Sequence, residues 1–318
     1  MIVRFWGTRG SIPVAMTSHD LRAKIESALL SAIANGLRSP DAVPAFVDRE
    51  LDFLTRHTYG GHTPCVEIDA GADEYLVCDM GSGARPLGNH IMARAGGRPP
   101  VVNLVMSHVH WDHIMGFPFF APAYVPGAKI RVHGCHDTLE QAFRLQQSPP
   151  CFPVDFSRLA ADIEFIALQP GVEREIGGWR VVPKLQRHTG DSYGYRFERD
   201  GKTVVYSTDS EHRPEDAAEV EGFAAFFRDA DLVIFDAMYS LADAVSVKED
   251  WGHSSNIVGV ELAQMAGVRH LCLFHHEPAF DDRHIHGMLE DAIRLEQLTR
   301  RDRPLTISAA FDGMEIEV

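Results

Sequence analysis

Cysteine is scarce and scattered. The 318-residue chain has five (Cys65, Cys78, Cys135, Cys151, Cys272), an odd number with no C-x-x-C among them. That excludes a disulfide framework and a cysteine-built zinc site, and it fits a reducing cytosol where Cys is a small apolar residue. Long apolar runs are also missing. No stretch reaches the roughly 18 residues that a membrane-spanning helix needs. The start, Met1 to Gly7, lacks a basic segment followed by a long apolar core, so it does not read as a signal peptide and a cytoplasmic protein is expected. Basic residues are in deficit, 30 Lys and Arg against 45 Asp and Glu, for a formal charge of −15. A chain this acidic repels long polyanions unless it carries a local basic patch. With 45% hydrophobic and 24% charged residues, disorder, collagen and coiled coil are poor readings of the whole.

Histidine, by contrast, is abundant: 17 residues, an excess that points towards metal. Short apolar runs at Val66–Ile68, Tyr75–Cys78, Val101–Met106, Ile130–His133, Val204–Tyr206, Leu232–Phe235 and His270–Phe274 read as strands. Helical spacing covers Arg85–Ala95, 214–228, 254–266 and 282–300. This order suggests sheets covered by helices. With no linker or repeat, residues 1–318 read as one domain with an insertion at about 14–58. There Leu21, Ile25, Leu29 and Ile33, then Val43, Phe46, Val47, Leu51 and Leu54, recur at helical spacing around a Ser39-Pro40-Asp41 break. A helical hairpin is expected. It packs on the flank, covers a site or joins two copies in a homodimer.

The chemistry centres on Ser107-His108-Val109-His110-Trp111-Asp112-His113, directly after an apolar strand. Alternate side chains of an extended segment share a face, so His108 and His110 reach one metal together while Trp111 points away. Asp112 and His113 fit a second metal beside it. Four ionisable groups at a strand end have little packing purpose. Later strands offer more ligands: His188, Asp209, and His275 or His276. A carboxylate bridges two cations, which a neutral imidazole does not.

This H-x-H-x-D-H motif, followed by a later His, Asp and His, resembles the metallo-β-lactamase superfamily, closest to its ribonuclease Z-like and cyclic phosphodiesterase branches. Phe5-Trp6-Gly7-Thr8-Arg9-Gly10-Ser11, Gly60-Gly61-His62-Thr63-Pro64, Asp79-Met80-Gly81 and Gly252-His253-Ser254 fit the same pattern, although His62 stands where Asn is expected. The resemblance implies an α/β fold, a four-layer αββα sandwich with the metals at the sheet edge. It assigns His108, His110 and His188 to one metal, Asp112, His113 and His275 to the other, and Asp209 to both. His276 is the alternative to His275. Asp79 would orient a ligand His by hydrogen bond, a role compatible with a turn-forming Asp before Gly.

Two divalent cations about 3.5–4 Å apart share a hydroxide and neutralise charge on phosphoryl oxygens. His and carboxylate ligands suit Zn²⁺ first, and also Mn²⁺ or Fe. Two cations, two carboxylates and one hydroxide sum to about +1, which attracts a monoanionic phosphodiester. Asp112 and His253 are the candidate catalytic residues, His253 as general acid for the leaving alkoxide. The alternative for His253 is a neighbour of a helix cap, because Ser254-Ser255 precede a helical stretch. Arg9 and Arg187 read better as exposed structural residues than as phosphate contacts. The function expected is hydrolysis of a small or cyclic phosphodiester. The alternatives are an RNA-processing endonuclease, a lactonase or other ester hydrolase, and a non-catalytic metal-binding module.

Overall fold

The computed structural model describes every residue except 214, 241–250, 301 and 302. Fourteen strands among the described residues form two seven-stranded sheets. The first contains β1 (Ile2–Gly7), β2 (Cys65–Asp69), β3 (Glu74–Cys78), β4 (Val101–Val105), β5 (Lys129–Gly134), β6 (Asp162–Ala167) and β14 (Glu315–Glu317), in the order β14-β1-β2-β3-β4-β5-β6. The second contains β7 (Arg174–Ile176), β8 (Trp179–Gln186), β9 (Ser192–Arg199), β10 (Lys202–Ser207), β11 (Leu232–Asp236), β12 (His270–Phe274) and β13 (Thr306–Ala309), in the order β13-β12-β11-β10-β9-β8-β7. In each sheet the strands joined by tight turns pair antiparallel. The four joined by crossovers, β3 to β6 and β10 to β13, pair parallel. Parallel strands need long connections, and those connections carry the helices.

The apolar runs explain the layering. Strands buried on both faces read as continuous hydrophobic stretches, and alternate residues here enter different cores. Val204, Tyr206, Leu232, Ile234, Cys272 and Phe274 face Phe5, Val66, Leu76 and Cys78 of the other sheet. Their neighbours Val205, Val233, Phe235, Leu271 and Leu273 face outwards onto helices α7 (Ala217–Phe227), α8 (Asn256–Ala266) and α9 (Asp282–Thr299). On the opposite flank Val77, Val102, Leu104, Ile130 and Val132 meet α4 (Ala84–Ala95) and α6 (Leu139–Gln146). The result is the expected αββα sandwich. Helix limits follow local chemistry: α4 stops at left-handed Gly96, and α8 runs from the Ser255 cap to left-handed Gly267. The helix expected over 214–228 begins at Ala217, three residues after position 214, which lies outside the described residues.

The 14–58 region departs from a hairpin. It holds three α-helices, α1 (Ser18–Ala34), α2 (Val43–Glu50) and α3 (Phe53–Arg56). The second apolar run breaks because Leu51 is extended and the Asp52 side chain accepts from Thr55 N, capping a new helix. Phe46 of α2 is buried, whereas α1 has no buried residue.

One core group makes stability sensitive to acid. His212 is buried among Phe223, Phe227 and Phe235, and neither ring nitrogen has a hydrogen-bond partner among the described residues. Burial pushes its pKa down from 6.5 to about 3. Below pH 6.5 the unfolded chain takes up a proton that the folded chain refuses. Stability is therefore full above that pH and falls as pH drops towards 3, by at most about 1.4 kcal/mol per unit. Urea unfolding should show a His212→Phe variant losing less stability than the parent between pH 6.5 and 4; parallel losses would refute it.

Candidate metal centre

β4 ends at Val105, so an extended loop rather than the strand carries His108 and His110. Their rings still sit 4.5 Å apart. His110 then precedes a single helical turn, α5 (Trp111–Ile114), which points Asp112 and His113 inwards and leaves Trp111 63% exposed. From the second sheet, His188 follows β8, Asp209 follows β10 and His275 follows β12. All seven expected ligands converge where the two sheets meet.

The distances define two adjacent groups. His108, His110 and His188 present ring nitrogens to one another, with His188 Nε2 3.1 Å from His110 Nδ1. Asp112, His113 and His275 form the second group: Asp112 Oδ2 lies 3.3 Å from His113 Nε2 and 3.4 Å from His275 Nε2. Asp209 stands between. Its Oδ2 is 3.6 Å from both His108 Nε2 and His188 Nε2, and its Oδ1 is 3.2 Å from both His113 Nε2 and His275 Nε2. Donor atoms about 2.1 Å from a shared tetrahedral ion lie roughly 3.4 Å apart, so these spacings fit ion ligation. The Nε2 atoms of His108, His113 and His275 are buried without a hydrogen-bond partner among the described residues. Buried polar atoms left unpaired in this way are costly unless something binds them. His276 turns away and meets Ala310 O through Nε2 at 2.8 Å, which leaves His275 as the residue at the site.

The far side of the imidazoles is held as well. His113 Nδ1 donates to Asp79 Oδ2 at 2.8 Å, and His188 Nδ1 to Gly252 O at 2.8 Å. His108 Nδ1 lies 3.0 Å from Ser107 Oγ, which itself donates to Asp79. These partners fix the tautomer that leaves Nε2 free. Burial opposes charge on Asp112 and Asp209, yet the surrounding imidazoles hold both well below the usual carboxylate range. Burial pushes His108, His110 and His188 down, towards the neutral form that binds metal. Burial acts the same way on His113, but Asp209, Asp112 and Asp79 push it up.

His253 borders both groups. Its ring stacks on His275 with centroids 5.1 Å apart and meets His188 edge-on at 5.0 Å. Its Nδ1 is 2.9 Å from Asp236 Oδ2. Burial lowers the His253 pKa, but Asp236 outweighs it and holds the group up at about 9. The helix cap falls to Ser255, so His253 is free for another task. Arg9 is not an exposed residue as expected: it is buried and donates to the carbonyls of Gly60, Glu277 and Phe280. Arg187 pairs with Glu219 at 2.9 Å.

Sequence reasoning missed several contributors. Asp236 ends an apolar strand as polar residues do at other site positions, and that is the signal that identifies it. Ser11 N donates to Asp112 Oδ2 at 2.8 Å, and Tyr206 OH donates to Asp79 Oδ2 at 2.8 Å. Gly10 and Gly252 have steric reasons. A Cβ at Gly10 would sit 2.6 Å from His275 Cε1, and one at Gly252 would sit 2.5 Å from His188 Nδ1. Asp79, Asp209 and His275 all have positive φ, at 59°, 45° and 61°. Non-glycine residues there are strained, and such strain gathers at functional sites.

Comparison with known proteins agrees with this architecture. Residues 66–276 match the family described as "Beta-lactamase superfamily domain". A ribonuclease Z from Thermoplasma acidophilum is 33% identical over 284 residues, covering 76% of this chain and 87% of that protein. Among solved structures, the metallo-β-lactamase fold protein YhfI from Bacillus subtilis superposes with a TM-score of 0.66 at 18% identity, covering 99% of this chain and 98% of its own. A diphosphatase of the PhnP family gives 0.61 at 19% identity, covering 100% and 97%.

Proposed function

Because this chain belongs to the metallo-β-lactamase superfamily, in its ribonuclease Z-like and phosphodiesterase branch, we propose that it is a dinuclear metal-dependent hydrolase of a small or cyclic phosphodiester. The observation that carries this reading is Asp209, whose two carboxylate oxygens each face a different group of ligands. His108, His110 and His188 would hold one divalent cation and Asp112, His113 and His275 the other, with Zn²⁺ preferred by the nitrogen-rich set. When bound, such a pair supplies Lewis acidity and a water acidified towards neutral pH. The chain's own residues do the rest. Ser11 N and the Thr63 hydroxyl, which donates to Asp112 O, keep Asp112 in place. Asp236 orients His253, and His253 gives its proton to the departing alkoxide.

Two expected results test this reading. In a metal-replete screen, bis-p-nitrophenyl phosphate and a cyclic nucleotide should be cleaved; turnover of a lactone or a β-lactam alone would discard the reading. Asp79 Oδ2 accepts from Ser107 Oγ, His113 Nδ1 and Tyr206 OH, so an amide at Asp79 sets donor against donor. Asp79→Asn should weaken metal binding by about 10–100-fold in chelator competition. Unchanged affinity would remove Asp79 from the site.

A second reading, an RNA-processing endonuclease, is favoured by the ribonuclease Z relative. The −15 charge weighs against a polyanion of that size. Tight RNA binding that collapses steeply with added salt would reverse the preference.

A further inference from the structure

Helix α1 is amphipathic the wrong way round for a single chain. Its polar side faces the body: Lys24 pairs with Asp282 at 2.9 Å and donates to His57 O at 2.8 Å, and Ser27 meets Thr55 at 3.3 Å. Its apolar stripe faces out. Leu21, Ile25, Leu29, Leu30 and Ile33 are 52, 50, 58, 67 and 76% exposed. Helices of this length take most of their stability from a packed apolar face, and this helix buries no residue. We propose that the stripe is covered by α1 of a second copy, in a two-fold antiparallel pair.

Three features select that occupant. The i, i+4 spacing is self-complementary: about a two-fold near Ser27, Leu21 meets Ile33 of the other copy and Ile25 meets its Leu29, as an isologous contact requires. The charge is favourable. Arg22 pairs with Glu26 and Lys24 with Asp282, so the outward side of α1 carries little net charge on a −15 chain, where two acidic copies repel least and where neither an anionic membrane nor a nucleic acid is attracted. The area suffices. The five side chains expose on the order of 600 Å², and with a rim of His19, Arg22 and Glu26 the face approaches the roughly 800 Å² per partner of a stable interface. The inference stands apart from the catalytic reading.

Sedimentation velocity on the full chain at about 10 µM should show a dimer. Ile25→Glu with Leu29→Glu should weaken association at least about 100-fold while leaving hydrolysis and circular dichroism unchanged. A monomeric parent, a dimeric double variant, or a monomer that binds lipid vesicles instead would overturn the proposal. The parent alone gives an independent reading: deuterium exchange of α1 should accelerate on dilution, and an unchanged rate would equally overturn it.

Discussion

Asp209→Ala is expected to abolish turnover, by three orders of magnitude or more, on the order of 4 kcal/mol of transition-state stabilisation. The variant should also bind fewer than two ions. The reason is geometric. Among the described residues Asp209 alone supplies an oxygen to each group of imidazoles, and its removal separates them and leaves His108, His113 and His275 facing a neutral methyl group. The effect should reach stability too. His108 to His113 come from the first sheet, while His188, Asp209 and His275 come from the second. Ions bound across that seam stabilise the folded state by mass action, about 2.7 kcal/mol at a hundredfold excess over Kd. The parent should therefore melt higher with metal than with chelator, and Asp209→Ala should show little difference. Full activity in the variant would instead favour a metal-binding module in which the ions do no chemistry.

The second large effect concerns the proton. His253→Ala should slow cleavage of an alkyl phosphodiester by about 10²–10⁴-fold, the usual contribution of a positioned general acid. It should barely slow bis-p-nitrophenyl phosphate, because nitrophenolate leaves without protonation. Asp236→Asn should follow the same pattern more weakly, because Asp236 reaches the leaving group through His253, at 2.9 Å, and its other hydrogen-bond partners among the described residues are the backbone amides of Ser210 and Met238. Equal losses on both substrates would mean that the pair supports the ligands rather than the leaving group.

The convergence of the candidate ligands was legible in the sequence because their pattern is local. H-x-H-x-D-H places four candidate ligands within six residues, and Asp209 and His275 each follow an apolar strand, where a side chain reaches the sheet edge, while His188 follows the mixed strand β8. Seven of the fourteen described strands were legible for a related reason, as short apolar runs, whereas β6, β7 and β8 mix exposed charged positions with less exposed apolar ones and were not read. What stayed hidden was contact between distant segments. Nothing near Gly252 reveals that its carbonyl holds His188, and nothing near Ser11 reveals that its amide holds Asp112. The choice between His275 and His276 depended on which ring the Ala310 carbonyl captures. The 14–58 region was read as a hairpin because its second apolar run keeps helical spacing through Leu51 to Leu54, and spacing does not show the extended Leu51 and the Asp52 cap that split it into two helices.

The left-handed backbone at Asp79, Asp209 and His275 has a consequence for heritable change. Each position would relax by about 1 kcal/mol as glycine, and each would then lose the group that makes the pocket. That relief is smaller than what glycine would forfeit, because Asp79 accepts from Ser107, His113 and Tyr206, and each orphaned buried donor costs about 1–3 kcal/mol. A library sorted for heat tolerance and one sorted for turnover should therefore both reject glycine at these three codons.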